Sequence, residues 1–209
     1  MFATSPIYPR PTAILGLTAI VGASILAGCG STSSTAPTTK SNPTTSVPST
    51  RATSATSLPA EAIALKIETG KMDGKPGWPR FVPSDINVRS GAKVTFTITN
   101  YDDGAAPLPS SLASYEKITG GTETVDGTAV AAIPNADISH TLSVPNLGVN
   151  VVIPVVPKNK QFVTVAFTFT PTKTGTFTWH CFAPCGSGSD GMTGAMSTMD
   201  WMEGNLTVS

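Results

Sequence analysis

From residue 61 onward, hydrophobic and polar residues alternate in short runs. In KVTFTIT, Val94, Phe96 and Ile98 fall on one face and Thr95, Thr97 and Thr99 on the other. FVTVAFTFT repeats the pattern with Val163, Val165, Phe167 and Phe169, and TFTWHC sets Phe177, Trp179 and Cys181 against Thr178 and His180. Period-two alternation predicts extended chain with one buried face. Turn residues such as Arg89-Ser90-Gly91 and those of 171–175 separate the runs. ALKIET, DINV, SHTLSV and the terminal NLTVS are further strand candidates. About seven or eight strands in roughly 150 residues predict an all-β chain folded as an antiparallel β-sandwich. A long insert, 103–137, interrupts the pattern and is rich in Gly, Pro and Ala. Within it SSLASYEKITGG offers a cap-like serine, apolar Leu112, Tyr115 and Ile118, and a glycine stop, which predicts a short helix.

Upstream the pattern is different. Residues 1–28 carry one positive charge, Arg10, and an apolar run from Ala13 to Leu26. That run is shorter than the ~20 residues a bilayer-spanning helix needs, and it predicts a signal peptide. It ends in Leu26-Ala27-Gly28-Cys29, which resembles the lipobox of bacterial lipoproteins. The resemblance implies cleavage before Cys29 and lipidation of its sulfur, with several acyl chains holding the protein at a membrane outside the cytoplasm. The alternative is an ordinary signal peptide with a chance cysteine. Residues 29–60 are mostly Ser, Thr and Pro and cannot bury enough surface to offset their ordering entropy, so they predict a disordered tether. The expected organisation is a signal peptide at 1–28, a lipidated tether at 29–60 and a folded domain at 61–209.

Composition narrows the function. The net charge of zero leaves no basic footprint for nucleic acid. No nucleophile–base pair or paired carboxylates stand out, so the chain reads as a carrier or binding protein and not as an enzyme. Gly186-x-Gly188-x-x-Gly191 matches a dinucleotide fingerprint in form, but it follows no βαβ unit and opens no helix. The concentration of soft ligands is more informative. The protein has two histidines and three cysteines, yet 178–204 holds His180, Cys181, Cys185 and the methionines 192, 196, 199 and 202. Strand phase sorts them. Cys181 shares a face with Phe177 and Trp179, and His140 shares one with Leu142 and Val144, so both point inward; His180 points outward. Thiolate, imidazole and thioether together are copper ligands, the sulfurs favouring Cu(I).

These segments resemble the cupredoxin family over roughly 63–208. FVPSDINVRSGAKVTFTITNYDD is similar to its second and third strands, ending in an Asn-x-Asp turn at Asn100 and Asp102. SHTLSV resembles the strand bearing the first histidine ligand, GTFTWHC the strand delivering the cysteine, and MEGNLTV the strand that follows the axial methionine. The resemblance implies a cupredoxin-like Greek-key sandwich holding copper. Within the family, Cys181-x-x-x-Cys185 is most similar to the Cu(A) loop, Cys-x-x-x-Cys-x-x-x-His-x-x-Met, of cytochrome oxidase subunit II and nitrous oxide reductase. Met192 matches that spacing, but Ser189 stands at the histidine position. A serine cannot replace an imidazole, which favours a mononuclear set of His140, Cys181, Cys185 and one methionine over a complete dinuclear one. Met202, just before the last strand, is preferred as the axial ligand, with Met192 the competitor; Met196 and Met199 read as loop packing. Trp179, Phe182 and Trp201 read as a dry shell around the site.

Three functions follow. The first is a lipid-anchored one-electron copper carrier serving a redox partner protein. The second is a Cu(I) carrier that delivers to a copper-accepting protein. The third is a metal-free sandwich acting as a binding module, with Cys181 and Cys185 joined in a disulfide, a bond that oxidising compartments favour.

Overall fold

A computed structural model describes residues 58–209. The signal peptide, Cys29 and all of the tether but its last three residues lie outside the described residues. Eleven strands form among the described residues: β1 Glu61–Glu68, β2 Arg80–Val82, β3 Ile86–Val88, β4 Val94–Asn100, β5 Thr122–Val125, β6 Thr128–Val130, β7 Ile138–Val144, β8 Val149–Pro154, β9 Val163–Phe169, β10 Gly175–His180 and β11 Glu203–Val208. They make two sheets, one ordered β2-β1-β4-β9-β5-β6 and the other β3-β11-β10-β7-β8. The β-sandwich expected from the alternation is therefore the observed fold. Its sheets are mixed rather than antiparallel, because β1 pairs β4 and β3 pairs β11 in parallel.

Alternation holds where one face meets the core. In β4, Val94, Phe96, Ile98 and Asn100 are buried, and in β9 Val163, Val165, Phe167 and Phe169 are. Phe177 and Trp179 of β10 and Leu206 and Val208 of β11 fill the facing side. Strands β7 and β8 depart from this pattern, with all seven residues of β7 buried. The insert covers their second face: Asn150 of β8 donates through Nδ2 to the carbonyls of Tyr115 (2.9 Å) and Lys117 (2.7 Å). Ser143 reaches the Asn150 side chain as well, so polar residues that sequence alone would leave to solvent form a buried network.

The insert is more structured than its composition suggests. The expected helix is a 3-10 helix, Ser110–Glu116, preceded by Pro109 and with no side-chain cap, so the serine signal does not act as one. Downstream, β5 and β6 form a hairpin through Asp126-Gly127, both with positive φ (49° and 81°), the backbone a two-residue hairpin turn of right twist requires. The hairpin extends the first sheet beside β9, and Glu123 on β5 turns into the protein, 3% exposed. Its Oε2 accepts the backbone N–H of Val152 at 3.1 Å, so a carboxyl group closes the open edge of β8, while Oε1 has no partner. Burial pushes this carboxyl up to about 8, against the smaller lowering effect of the Val152 N–H.

Candidate metal centre

The centre lies where the segments after β4 and β10 meet β7. The Asn100-x-Asp102 turn builds its first part. Asn100 is fully buried; its Oδ1 accepts the Asp102 N–H (3.0 Å) and its Nδ2 donates to the carbonyls of Pro154 (2.9 Å) and Asp102 (3.3 Å). This fixes the Asp102 backbone, and the Gly104 N–H holds Oδ1 at 3.0 Å. Oδ2 is then presented to His140 Nε2 at 3.1 Å. Asp102, which the sequence marked only as part of a turn, is thus the residue that orients the histidine. Its carboxyl is held below the usual range: burial raises it, but the His140 hydrogen bond and charge and the Gly104 N–H outweigh burial.

His140 is fully buried on the inward face of β7, its ring against Phe81. With Nε2 committed to Asp102, Nδ1 is buried and has no hydrogen-bond partner. One ring nitrogen of His140 and the sulfurs of Cys181 and Cys185 all lie within 4.8 Å of one another. Cys181 follows β10 and is 3% exposed; Cys185 is half-buried. Both thiols are free, their sulfurs 3.6 Å apart. The Thr141 N–H donates to Cys181 Sγ at 3.3 Å, and the Thr141 hydroxyl accepts the Phe182 N–H at 2.8 Å, tying β7 to the cysteine from both sides.

These contacts divide the protons unequally. Burial raises the Cys181 thiol, but the Cys185 hydrogen bond, the neighbouring His140 ring and its charge and the Thr141 N–H hold it well below the ordinary thiol range. Cys185 is driven well above that range by burial first, then by its bond to Cys181 and the charges of Cys181 and Asp102. Burial would lower His140, yet the bond to Asp102 and the neighbouring Cys181 sulfur bring it up to about 9. The cluster is one sulfur whose anionic form is favoured, a second thiol and a histidine ring whose protonated form is favoured, gathered in a dry site. An orphaned nitrogen beside two sulfurs is the donor set a soft or borderline metal completes.

Two thioethers flank the cysteines. The Cys181 N–H donates to the Met202 carbonyl at 2.9 Å, continuing the β10–β11 register, so the Met202 side chain is on the Cys181 face of the sheet; it is fully buried. Met196, read from the sequence as loop packing, has its sulfur 3.2 Å from Cys185 Sγ, which donates to it. Met192 is half-buried, its N–H bonded to Asp190. No signal in the sequence singles out Met196: it sits in a short 3-10 turn, Gly194–Ser197, whose placement depends on the folded loop.

The glycine motif within this loop makes a small hairpin. Gly186 N–H donates to Gly191 carbonyl (2.8 Å), and Ser187 and Thr193 exchange backbone bonds at 2.9 Å each. A Cβ on Gly186 would run into the Thr193 carbonyl, so the close approach requires glycine. His180 points outward as expected and pairs with Glu203 at 3.2 Å. Trp179 is fully buried, its Nε1 donating to the Ser84 carbonyl at 2.8 Å, and Phe182 stacks on Tyr115 at 3.8 Å. Trp201 is half-buried in a surface cluster instead, edge-on to Trp78 at 5.1 Å with the Lys75 ammonium 4.9 Å from its ring.

No family model and no curated protein matches this chain. Solved structures do. Rusticyanin from Thiobacillus ferrooxidans is 18% identical over 71% of this chain and 76% of its own, with a TM-score of 0.36. A multi-copper oxidase from Pediococcus acidilactici is 14% identical over 72% of this chain and 26% of its own, at 0.37. A reduced mutant of amicyanin is 15% identical over 71% and 82%, at 0.30. At such scores the likeness decides nothing about chemistry, which rests on this site's own atoms.

Proposed function

We propose that this chain is a cupredoxin-like copper protein, an electron carrier and not an enzyme, held outside the cytoplasm by a lipid on Cys29. The observation that carries the copper reading is His140, buried with its Nδ1 unpartnered and a ring nitrogen within 4.8 Å of two free cysteine sulfurs. His140, Cys181 and Cys185 would hold the metal, with Met202 or Met196 supplying a thioether. Copper bound there would supply a one-electron couple between Cu(I) and Cu(II).

The protein's own residues set how that couple behaves. Asp102 fixes the ring and leaves Nδ1 facing inward as a lone pair once its proton is displaced. The Thr141 N–H stabilises negative charge on the Cys181 sulfur and favours the electron-rich state. Trp179 and Phe81, both buried and in edge contact at 4.9 Å, keep water from the inner side. A ligand cage held from behind by two sheets changes shape little on oxidation, which suits a carrier that passes its electron to a redox partner protein.

A second reading, Cu(I) delivery to an accepting protein, has one observation in its favour. The sulfur of Met196 beside Cys185 adds a third soft donor to a set with a single imidazole, which favours Cu(I). Optical and paramagnetic resonance spectra of the full chain with Cu(II) separate the two. An intense thiolate-to-copper band that bleaches reversibly on reduction supports the carrier. Tight Cu(I) binding without that band supports delivery. A Cys181–Cys185 disulfide that resists reduction, with no copper uptake, would leave a metal-free binding module.

A further inference from the structure

We propose that the centre is loaded and emptied through one cleft, with Cys185 as the first ligand to take Cu(I) from a small thiolate-bound donor. The inference rests on the copper reading above. A cleft of about 360 Å³ opens beside the centre, lined by Thr69, Gly70, Trp78, Asp102, Ala105 and Cys185 among others. Of the three clustered ligands, Cys185 alone reaches it. His140 is fully buried and Cys181 is 3% exposed, and neither lines the cleft.

The path from solvent to the inner nitrogen and sulfur therefore runs past Cys185. The floor on the other side is Asp102, whose Oδ1 is already bonded to the Gly104 N–H and whose Oδ2 holds His140, so the histidine stands behind its orienting group. The lining belongs to turns and loops, residues 69–71, 77–79, 102–106 and 184–186, outside the strand ladders. These can yield to a passing ligand without breaking sheet pairing.

The exchange balances without redox chemistry. As the Cys185 sulfur bonds to Cu(I), its thiol proton leaves; as the donor's sulfur–copper bond breaks, that sulfur takes up a proton. No electron moves. The ion then passes inward to Cys181 and His140, each under 5 Å away.

The test follows Cu(I) uptake by the full chain from a Cu(I)–glutathione complex in stopped flow, with bound copper measured at the endpoint. Ala105→Trp and Lys71→Trp fill the cleft from separate segments, both at exposed positions that supply no ligand. Either should slow uptake at least about tenfold while the endpoint stays that of the unaltered chain. An unchanged rate in both variants overturns the cleft as the route. Loss of the endpoint in a folded variant also overturns it, because the wall would then belong to the site. If the unaltered chain takes up no copper, the copper reading itself fails.

Discussion

Glu123 is a carboxylic acid kept proton-bearing by its surroundings, and replacing it with glutamine exposes the cost. In the unfolded chain it titrates near its ordinary 4.5; folded, it titrates near 8. Between those values the folded protein holds one more proton than the unfolded one. Stability must therefore fall as pH rises through that window, and the loss is complete above about 8. At about 1.4 kcal/mol per pH unit, the whole interval corresponds to about 5 kcal/mol, of which about 3 kcal/mol has been lost by pH 7. Glu123→Gln keeps an oxygen to accept the Val152 N–H and cannot ionise. The variant should match the parent near pH 4 and exceed it by about 3 kcal/mol at pH 7. Urea unfolding followed by tryptophan fluorescence at intervals from pH 4 to pH 8 measures both chains, and their difference cancels every other titrating group. Parallel stability profiles across that range would refute the reasoning, since they would mean Glu123 ionises alike in both states.

Four substitutions address the centre. Cys181→Ser should abolish the thiolate–copper absorption band, whereas His180→Ala should leave it in place, because His180 points away from the centre and pairs with Glu203. Asp102→Asn should weaken copper binding about 10- to 100-fold in a competition titration, as the histidine loses its orienting carboxylate. Met196→Leu keeps the volume and should change stability by less than about 1.5 kcal/mol; Cu(I) affinity should fall, and an unchanged affinity would remove Met196 from the ligand set.

Legibility followed from how each element is buried. β4, β9, β10 and β11 alternate because one face meets the core, and each is readable from its own residues. β8, VNVVIP, carries no alternation because the insert covers its outer side, and no local pattern announces a cover supplied by a distant segment. The β5–β6 hairpin was legible in principle: Asp126-Gly127 between Thr- and Val-containing runs is a turn signal that the surrounding Gly- and Pro-rich composition obscured. Parallel pairing of β1 with β4 depends on chain crossing and has no residue signature. At the centre, phase brought His140 and Cys181 inward and sent His180 out, as observed. Asp102 was visible as a turn residue, but its role depends on where β7 lies. Met196 was invisible, since a sulfur on a loop is placed by the loop's fold and not by its spacing.

The self-bonded hairpin from Gly186 to Thr193 gives the centre two mechanically distinct halves. His140 and Cys181 are carried by neighbouring strands and stay fixed relative to each other. Cys185 and Met196 flank a loop bonded largely to itself, so their spacing is set by that loop and not by the sheet ladders. A substitution inside the hairpin would therefore displace Cys185 and Met196 together, whereas one in β7 or β10 would displace the other pair.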